Sequence, residues 1–298
     1  MSRVLITGAS GFLGHVLCEE IAAAHEVFSG WKVHRPESRR ATPIRIDVTD
    51  ERSIRAAFTV AAPDTVVHAA AIASPDRCES EPGEAVRVNS TGSAFVAKAC
   101  ADAGCRLILV STDLVFDGSR GRYTEQDPVR PINVYSRTKV EAEKSVSGIV
   151  PGVVVLRVPL LYGWGPDSHP GMVRQMLALW REGKTSRLFH DQYRTPAHAP
   201  QVARVIEALI GRPEVRGTFH VGGADRISRL EFGRMVARAS GFDQRLLLPA
   251  SMDEVPGPAP RAADCSLVST YLAATLGVQP LGCREGIDRL FTAHPVSR

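Results

Sequence analysis

The chain has no apolar run approaching the roughly 20 residues of a membrane-crossing helix. Its opening residues, Met1-Ser-Arg-Val-Leu-Ile-Thr-Gly8, are too short an apolar burst for the core of a secretory signal. A cytoplasmic protein with no membrane association is therefore expected. The six cysteines (Cys18, Cys78, Cys100, Cys105, Cys265 and Cys283) form no Cys-x2-Cys pair and join no Cys/His cluster. That pattern excludes the common zinc motifs, so reduced thiols and no metal are expected. Charge runs are also missing. The net charge is only +4 over 298 residues, arginine far outnumbers lysine, and the basic residues are scattered. No nucleic-acid partner is expected from such a distribution, whereas an anionic small molecule stays open.

What is present is a globular composition, 44% hydrophobic and 23% charged, long enough to bury one large core or two unequal ones. Short apolar segments read as strands at Arg3 to Thr7, Glu26 to Ser29, Ile44 to Ile46, Thr65 to His68, Arg106 to Val110, Val153 to Val158 and Thr218 to Val221. Helical patterns lie between them. Gly11 to Ala24 puts Leu13, Val16, Leu17 and Ile21 on one face; further helices are expected from Asp50 to Ala62, Ala85 to Ala103, and Tyr135 to about Val146. This alternation predicts an α/β fold of Rossmann type: a doubly wound parallel sheet of about seven strands with right-handed crossovers. Residues 1–159 with about 198–223 would form the dinucleotide-binding domain. About 160–197 with 224–298 would form a smaller C-terminal α/β lobe that binds substrate. Helices are expected there around Met172 to Trp180 and from Ser228 to Ser240, with a proline-rich loop from Pro249 to Pro260.

The first strand runs into Gly8-Ala-Ser10-Gly11-Phe12-Leu13-Gly14, which opens the first helix. Gly8 suits the tight turn, Gly11 lets the backbone approach a pyrophosphate, and Gly14 lets the helix pack on the sheet. The helix N-terminus then offers amide groups to phosphate. In this strand-to-helix context the motif predicts a dinucleotide. An acid after the second strand would hold a ribose 2′-hydroxyl, but the chain has Ser29-Gly-Trp-Lys32 there, with Arg35 beyond. Missing acid and available base predict a 2′-phosphate on Lys32 and Arg35, hence NADPH. If those two are merely solvated loop charges, NADH remains the alternative.

Tyr135-Ser-Arg-Thr-Lys139 places a phenol and an ammonium on one helical face. An adjacent ammonium would lower the Tyr135 pKa toward neutrality and make a proton donor for a carbonyl oxygen. Ser111 and Thr112 stand at the C-terminal end of the fifth strand, where ligands of such sheets sit.

With these residues in hand, the chain resembles the extended short-chain dehydrogenase/reductases, and among them the dTDP-4-dehydrorhamnose reductase family. The resemblance spans nearly the whole chain. It rests on Ser111-Thr-Asp-Leu-Val-Phe-Asp-Gly118, Tyr123-Thr-Glu125, and Pro131-x3-Tyr135. Asp76-Arg-Cys-Glu79, Val88-Asn89, Asp191-Gln192, Thr195-Pro196 and Gly217-Thr-Phe-His220 extend it. The resemblance implies that Thr112 hydrogen-bonds the substrate oxygen and Tyr135 is the general acid. Lys139 would hold the nicotinamide ribose and tune Tyr135. Asp113 would touch substrate. Gly11, Phe12, Leu13, Asp47, Val48, Ala69, Ala70 and Ala71 would line the cofactor. Arg194 and Arg261 are candidate diphosphate contacts, with surface salt bridges as their alternative.

Two positions depart from the family pattern. Leu160, within Arg157-Val-Pro-Leu160-Leu-Tyr-Gly163, stands where the reductases carry a sugar-contacting Trp. The same segment resembles the regulatory β subunit of methionine adenosyltransferase. Leu114 stands where related dehydratases carry Glu, and a leucine transfers no proton, which argues against dehydration. The expected function is NAD(P)H-dependent reduction of a nucleotide-linked 4-keto-6-deoxy sugar. A nucleotide-sugar epimerase and a non-catalytic NADP-binding regulatory subunit are the alternatives. Relatives of this kind are often dimers, so a homodimer is also expected.

Overall fold

Seven short segments pair into one parallel sheet; the central ones, at residues 3–7, 65–68, 106–112 and 154–158, are almost wholly buried as sheets covered on both faces require, while the edge segment 42–45 is partly exposed. The computed structural model describes residues 1–295. The strands are β1 (Arg3–Thr7), β2 (Glu26–Trp31), β3 (Thr42–Arg45), β4 (Thr65–His68), β5 (Arg106–Thr112), β6 (Val154–Val158) and β7 (Gly217–His220), in spatial order β7-β6-β5-β4-β1-β2-β3. The chain winds outward from β1 to β3, returns to β4 on the other side of β1, and continues to β7. The reversal between β1 and β4 is the topological switch point, where such sheets open a crevice beyond the strand C-termini.

Helices cover both faces. On one, Leu13, Val16, Leu17 and Ile21 of the Phe12–Ile21 helix pack with Val202, Ile206 and Leu209 of the Ala199–Ile210 helix. On the other, Ile54, Phe58, Val96, Ala97 and Val146 close a second core. The smaller lobe has its own core around Trp180, Leu188, Phe232, Val236 and Leu290. A capping box, Ser228 with Glu231, starts its Arg229–Ser240 helix. Among the described residues, no helix is long and apolar enough to cross a membrane.

All seven expected strands are present, with shifted ends. β2 runs two residues past Ser29, so Ser29 and Gly30 lie inside the sheet and the turn begins at Lys32. Thr112 is the last residue of β5 itself. Leu247–Ala250 forms a strand beside Ser186–Phe189, although Pro249 had suggested a loop. A two-stranded ladder leaves both edges open, so a proline needs no partner on its outer side. The Thr270–Leu276 helix sends Leu272 and Leu276 into the core beside the sheet. Residues 296–298, the end of the expected substrate lobe, lie outside the described residues.

The tightest approach in the fold is the turn after β1. Gly8 has φ +71°, and an added Cβ there would lie 2.7 Å from the Ala70 backbone. At Gly14 an added Cβ would overlap the Gly8 carbonyl oxygen and sit 2.7 Å from Ala9 Cα. Gly14→Ala must therefore push the helix off the strand. We expect it to destabilise the protein by about 1–3 kcal/mol or more, as overpacking does. Denaturant unfolding checks this; an unchanged midpoint would show that the turn yields freely.

Candidate functional site

Loops at the C-terminal ends of β1, β2, β4, β5 and β6, together with segments of the smaller lobe, enclose a cleft of about 960 Å³. Gly8, Ser10, Gly11, Phe12, Leu13 and Gly14 form its floor. The first helix has no side-chain cap, so its leading amide groups are left for a ligand. An added Cβ at Gly11 would meet only the Gly8 carbonyl oxygen, at 3.3 Å, which leaves the cradle open toward the cleft. These features fit the diphosphate of a dinucleotide. Ala69, Ala70 and Ala71 pass over the cradle. The segment is pinned by Asn89, whose Oδ1 accepts from Ile72 N at 2.8 Å and whose Nδ2 donates to Ile72 O and to Thr138 Oγ1. Asn89 lies in a single π-helical stretch, Val86–Thr91, inside what the sequence reads as one helix. Such widened turns recur at functional sites because they re-aim a side chain.

Asn133 caps the Val134–Ile149 helix by accepting from Ser136 N at 2.8 Å, and Glu79 accepts from Val134 N. This start puts Tyr135 in the first turn and Lys139 one turn later, both buried and both facing the cleft with Thr112. Lys139 Nζ donates to Val110 O at 2.7 Å, two residues before Thr112. Burial brings the Lys139 pKa down to about 8, and the Glu143 charge opposes that fall. Burial pushes the Tyr135 phenol up instead of down; Thr112 opposes the rise, and Asp113 adds to it. The expected lowering of Tyr135 by Lys139 is thus corrected. The ammonium is committed to a carbonyl, and desolvation of the phenolate dominates. Tyr135 stays protonated across the physiological range.

Thr112 Oγ1 donates to Asp113 Oδ1 at 3.1 Å and accepts from Leu114 N. Asp113 is buried against Arg194, with Nε and Oδ2 3.2 Å apart. Burial raises the Asp113 carboxyl to about 6, against the pull of Arg194. Behind Lys139, Glu143 receives Arg157 Nη2 at 2.8 Å and Nε at 3.2 Å, and Ser111 Oγ donates to the same carboxylate. The sequence contained a signal for this pair that went unread. Arg157 interrupts an otherwise apolar buried strand, and a buried charge requires a partner.

Lys32 and Asp47 line the cofactor end and pair with each other at 3.0 Å. Thr49 donates to Asp47 through both N and Oγ1; these bonds and Lys32 hold its carboxyl below the usual range, although burial works the other way. Val48 is buried beside them. Arg35 is exposed and outside the cleft lining, which corrects its assignment as a cofactor contact. The cleft lining runs through Lys32, Val33 and His34 and ends one residue short of Arg35. Leu160, Arg194 and Arg261 all line the cleft, at the part expected to take substrate. Arg194 also donates to Tyr193 O and Ala262 O, and Arg261 lies 3.3 Å from Asp76. Gln192, read from the sequence only as part of a family motif, and Arg229, which had not been singled out, share this wall.

Removing one member of the Glu143–Arg157 pair strands the other in the interior. Glu143→Ala should lower stability by about 3 kcal/mol or more. Equilibrium denaturation reads this directly, and a change within the scatter of surface substitutions would show that Arg157 finds water instead.

The chain matches the model of the RmlD substrate binding domain family over residues 2–295. It is 33% identical to methionine adenosyltransferase 2 subunit beta of Rattus norvegicus, over 90% of this chain and 82% of that protein. It is 32% identical to dTDP-4-dehydrorhamnose reductase of Mycolicibacterium smegmatis, over 94% of this chain and 81% of that one. The crystal structure of dTDP-4-dehydrorhamnose reductase from Bacillus anthracis in complex with NADP shares its fold with a TM-score of 0.87 at 26% identity, covering 98% and 99% of the two chains. Backbone and sequence therefore agree along almost the full length, and the chain belongs to the RmlD substrate binding domain family.

Proposed function

We propose that this protein is an NADPH-dependent reductase of a nucleotide-linked 4-keto-6-deoxy sugar, similar to the dTDP-4-dehydrorhamnose reductases, with NADH as a second donor. The observation that carries the reading is the meeting of three parts in one cleft: the glycine cradle after β1, Thr112 at the end of β5, and the Tyr135–Lys139 face. In this reading residues 1–159 and 198–223 hold the cofactor, while 160–197 and 224–298 hold the sugar. A cytoplasmic location and a homodimer accompany it.

Bound NADPH would supply the hydride to the carbonyl carbon. The protein's part is to place and protonate. Gly8 to Gly14 would hold the diphosphate, with Ala69 to Ala71 over it and Lys32 near the adenosine end. Thr112 would hydrogen-bond the carbonyl oxygen. Tyr135, kept protonated by burial, would donate its proton as negative charge grows on that oxygen. The positive charge of Lys139, anchored at Val110 O, would stabilise the phenolate left behind. Leu114 and Leu160 form apolar walls at the substrate end.

The test follows NADPH absorbance with dTDP-, GDP-, UDP- and CDP-linked 4-keto-6-deoxy sugars. Net oxidation with one of them supports a reductase, and isomerisation without oxidation would make the protein an epimerase. Tyr135→Phe should lower turnover at least about a hundredfold, as expected on losing a general acid. Near-normal turnover in that variant would remove Tyr135 from the role. The second reading, a non-catalytic NADP-binding subunit, is favoured by Leu160 and by the similarity to methionine adenosyltransferase 2 subunit beta. No turnover with the whole panel, together with stable association with a methionine adenosyltransferase catalytic subunit, would establish it instead.

The pH profile separates Lys139 from Tyr135. Lys139 carries its charge below its lowered pKa of about 8 and loses it above. Turnover should therefore fall on the alkaline side with an apparent pKa near 8. Activity that stays level to pH 10 would show that the reaction does not use this charge.

A further inference from the structure

Residues 259–262, far from Thr112 and Tyr135 in sequence, line the cleft together with them. They belong to no helix or strand. Among the described residues, their backbone hydrogen bonds go to three side chains and to no other backbone group. Ala259 N donates to Asp76 Oδ1 at 3.2 Å, Pro260 O accepts from Asn133 Nδ2 at 3.1 Å, and Ala262 O accepts from Arg194 Nη2 at 3.2 Å. The place of this segment is therefore set by those side chains and by burial of Ala259 and Ala262, with no ladder of its own.

All three side chains lead back to the groups assigned to proton delivery. Asn133 is 2% exposed and caps the Val134–Ile149 helix: its Oδ1 accepts from Ser136 N at 2.8 Å and from Ser136 Oγ at 2.7 Å. Tyr135 stands between the cap and Ser136. Arg194 pairs with Asp113 at 3.2 Å, and Asp113 accepts from Thr112 Oγ1. Asp76 lies in the first turn of the Pro75–Ser80 helix, whose Glu79 accepts from Val134 N at 2.7 Å. The segment is thus bonded to the supports of Thr112 on one side and of Tyr135 on the other. Asn133 is the most direct of these links. Capping needs only an oxygen, which serine supplies equally well. The amide nitrogen adds nothing to the helix; it holds a wall of the cleft that lies 127 residues away in sequence.

We propose that Asn133 is a positioning residue that couples the placement of residues 259–262 to the direction of the Tyr135 phenol, so that proton delivery reaches full rate only when this wall of the cleft is in place. The proposal rests on the reductase reading above and adds to it a means of using contacts remote from the carbonyl. Substrate pressed against the wall would hold Pro260, Pro260 would hold the carboxamide, and the carboxamide would fix the first turn of the helix. Misplacing reacting groups by about 1 Å can cost about a hundredfold in rate, so a small slackening at this cap is enough to matter.

Two variants separate this role from capping. Asn133→Ser keeps a neutral capping oxygen but is too short to reach Pro260 O, whereas Asn133→Ala removes both bonds. At saturating NADPH, with the nucleotide keto-sugar that the wild type reduces, kcat should fall at least about tenfold in both variants. The melting temperature should fall in Asn133→Ala and remain close to wild type in Asn133→Ser. A residue that only caps would leave kcat normal in Asn133→Ser, and that result overturns the proposal. Hydrogen exchange gives a readout independent of turnover. Pro260→Gly loosens the segment without altering the helix, and the amides of residues 135–138 should then exchange at least about threefold faster than in the wild type. Unchanged exchange there overturns the coupling. A wild type that turns over none of the sugars removes the reductase reading and this proposal with it, whereas normal turnover by Asn133→Ser removes this proposal alone.

Discussion

A buried ammonium organises this site. Lys139 can stay charged inside the protein only because Val110 O accepts from it and Glu143 faces it one turn along the helix. Glu143 in turn is held by Arg157 on β6 and by Ser111 on β5. Each group is too costly to bury alone, so the set fixes the helix against two neighbouring strands at one register. Once that register is set, Tyr135 must stand beside Thr112. The cleft chemistry follows from the need to satisfy one interior charge.

The cofactor half of the cleft depends on a different constraint, the crossing of backbones at the sheet's switch point. Gly8 and Gly14 allow β1, its helix and the segment after β4 to approach closely. Asn89 links that segment to Thr138, and Thr138 Oγ1 donates to Tyr135 O at 2.7 Å. The glycine turn and Tyr135, the proposed proton donor, are thereby tied by a short chain of hydrogen bonds. Displacing either element would move the other, which suits a reaction that needs hydride donor and proton donor aligned.

Electrostatics differ between the two ends. At the cofactor end, Lys32 and Asp47 neutralise each other, so a 2′-phosphate would have to compete with an existing pair. At the substrate end, Arg229 has no such pair among the described residues. The cleft thus holds its uncompensated positive charge where the smaller lobe covers the sheet, away from the glycine cradle.

Much of this was legible in the sequence, because much of it is local. Apolar runs bounded by turn residues marked all seven strands, glycine spacing marked the cradle, and a helical period put Tyr135 and Lys139 on one face. Those signals depend on near neighbours and on backbone sterics, which act before the chain has folded. The tertiary structure alone decided how the charges are used. It placed Arg35 outside the cleft, gave Arg194 to Asp113, joined Glu143 to Arg157, and turned the Tyr135 shift upward. An ionisable side chain takes its state from the groups and the water around it. Those surroundings are assembled from distant parts of the chain only when the fold closes.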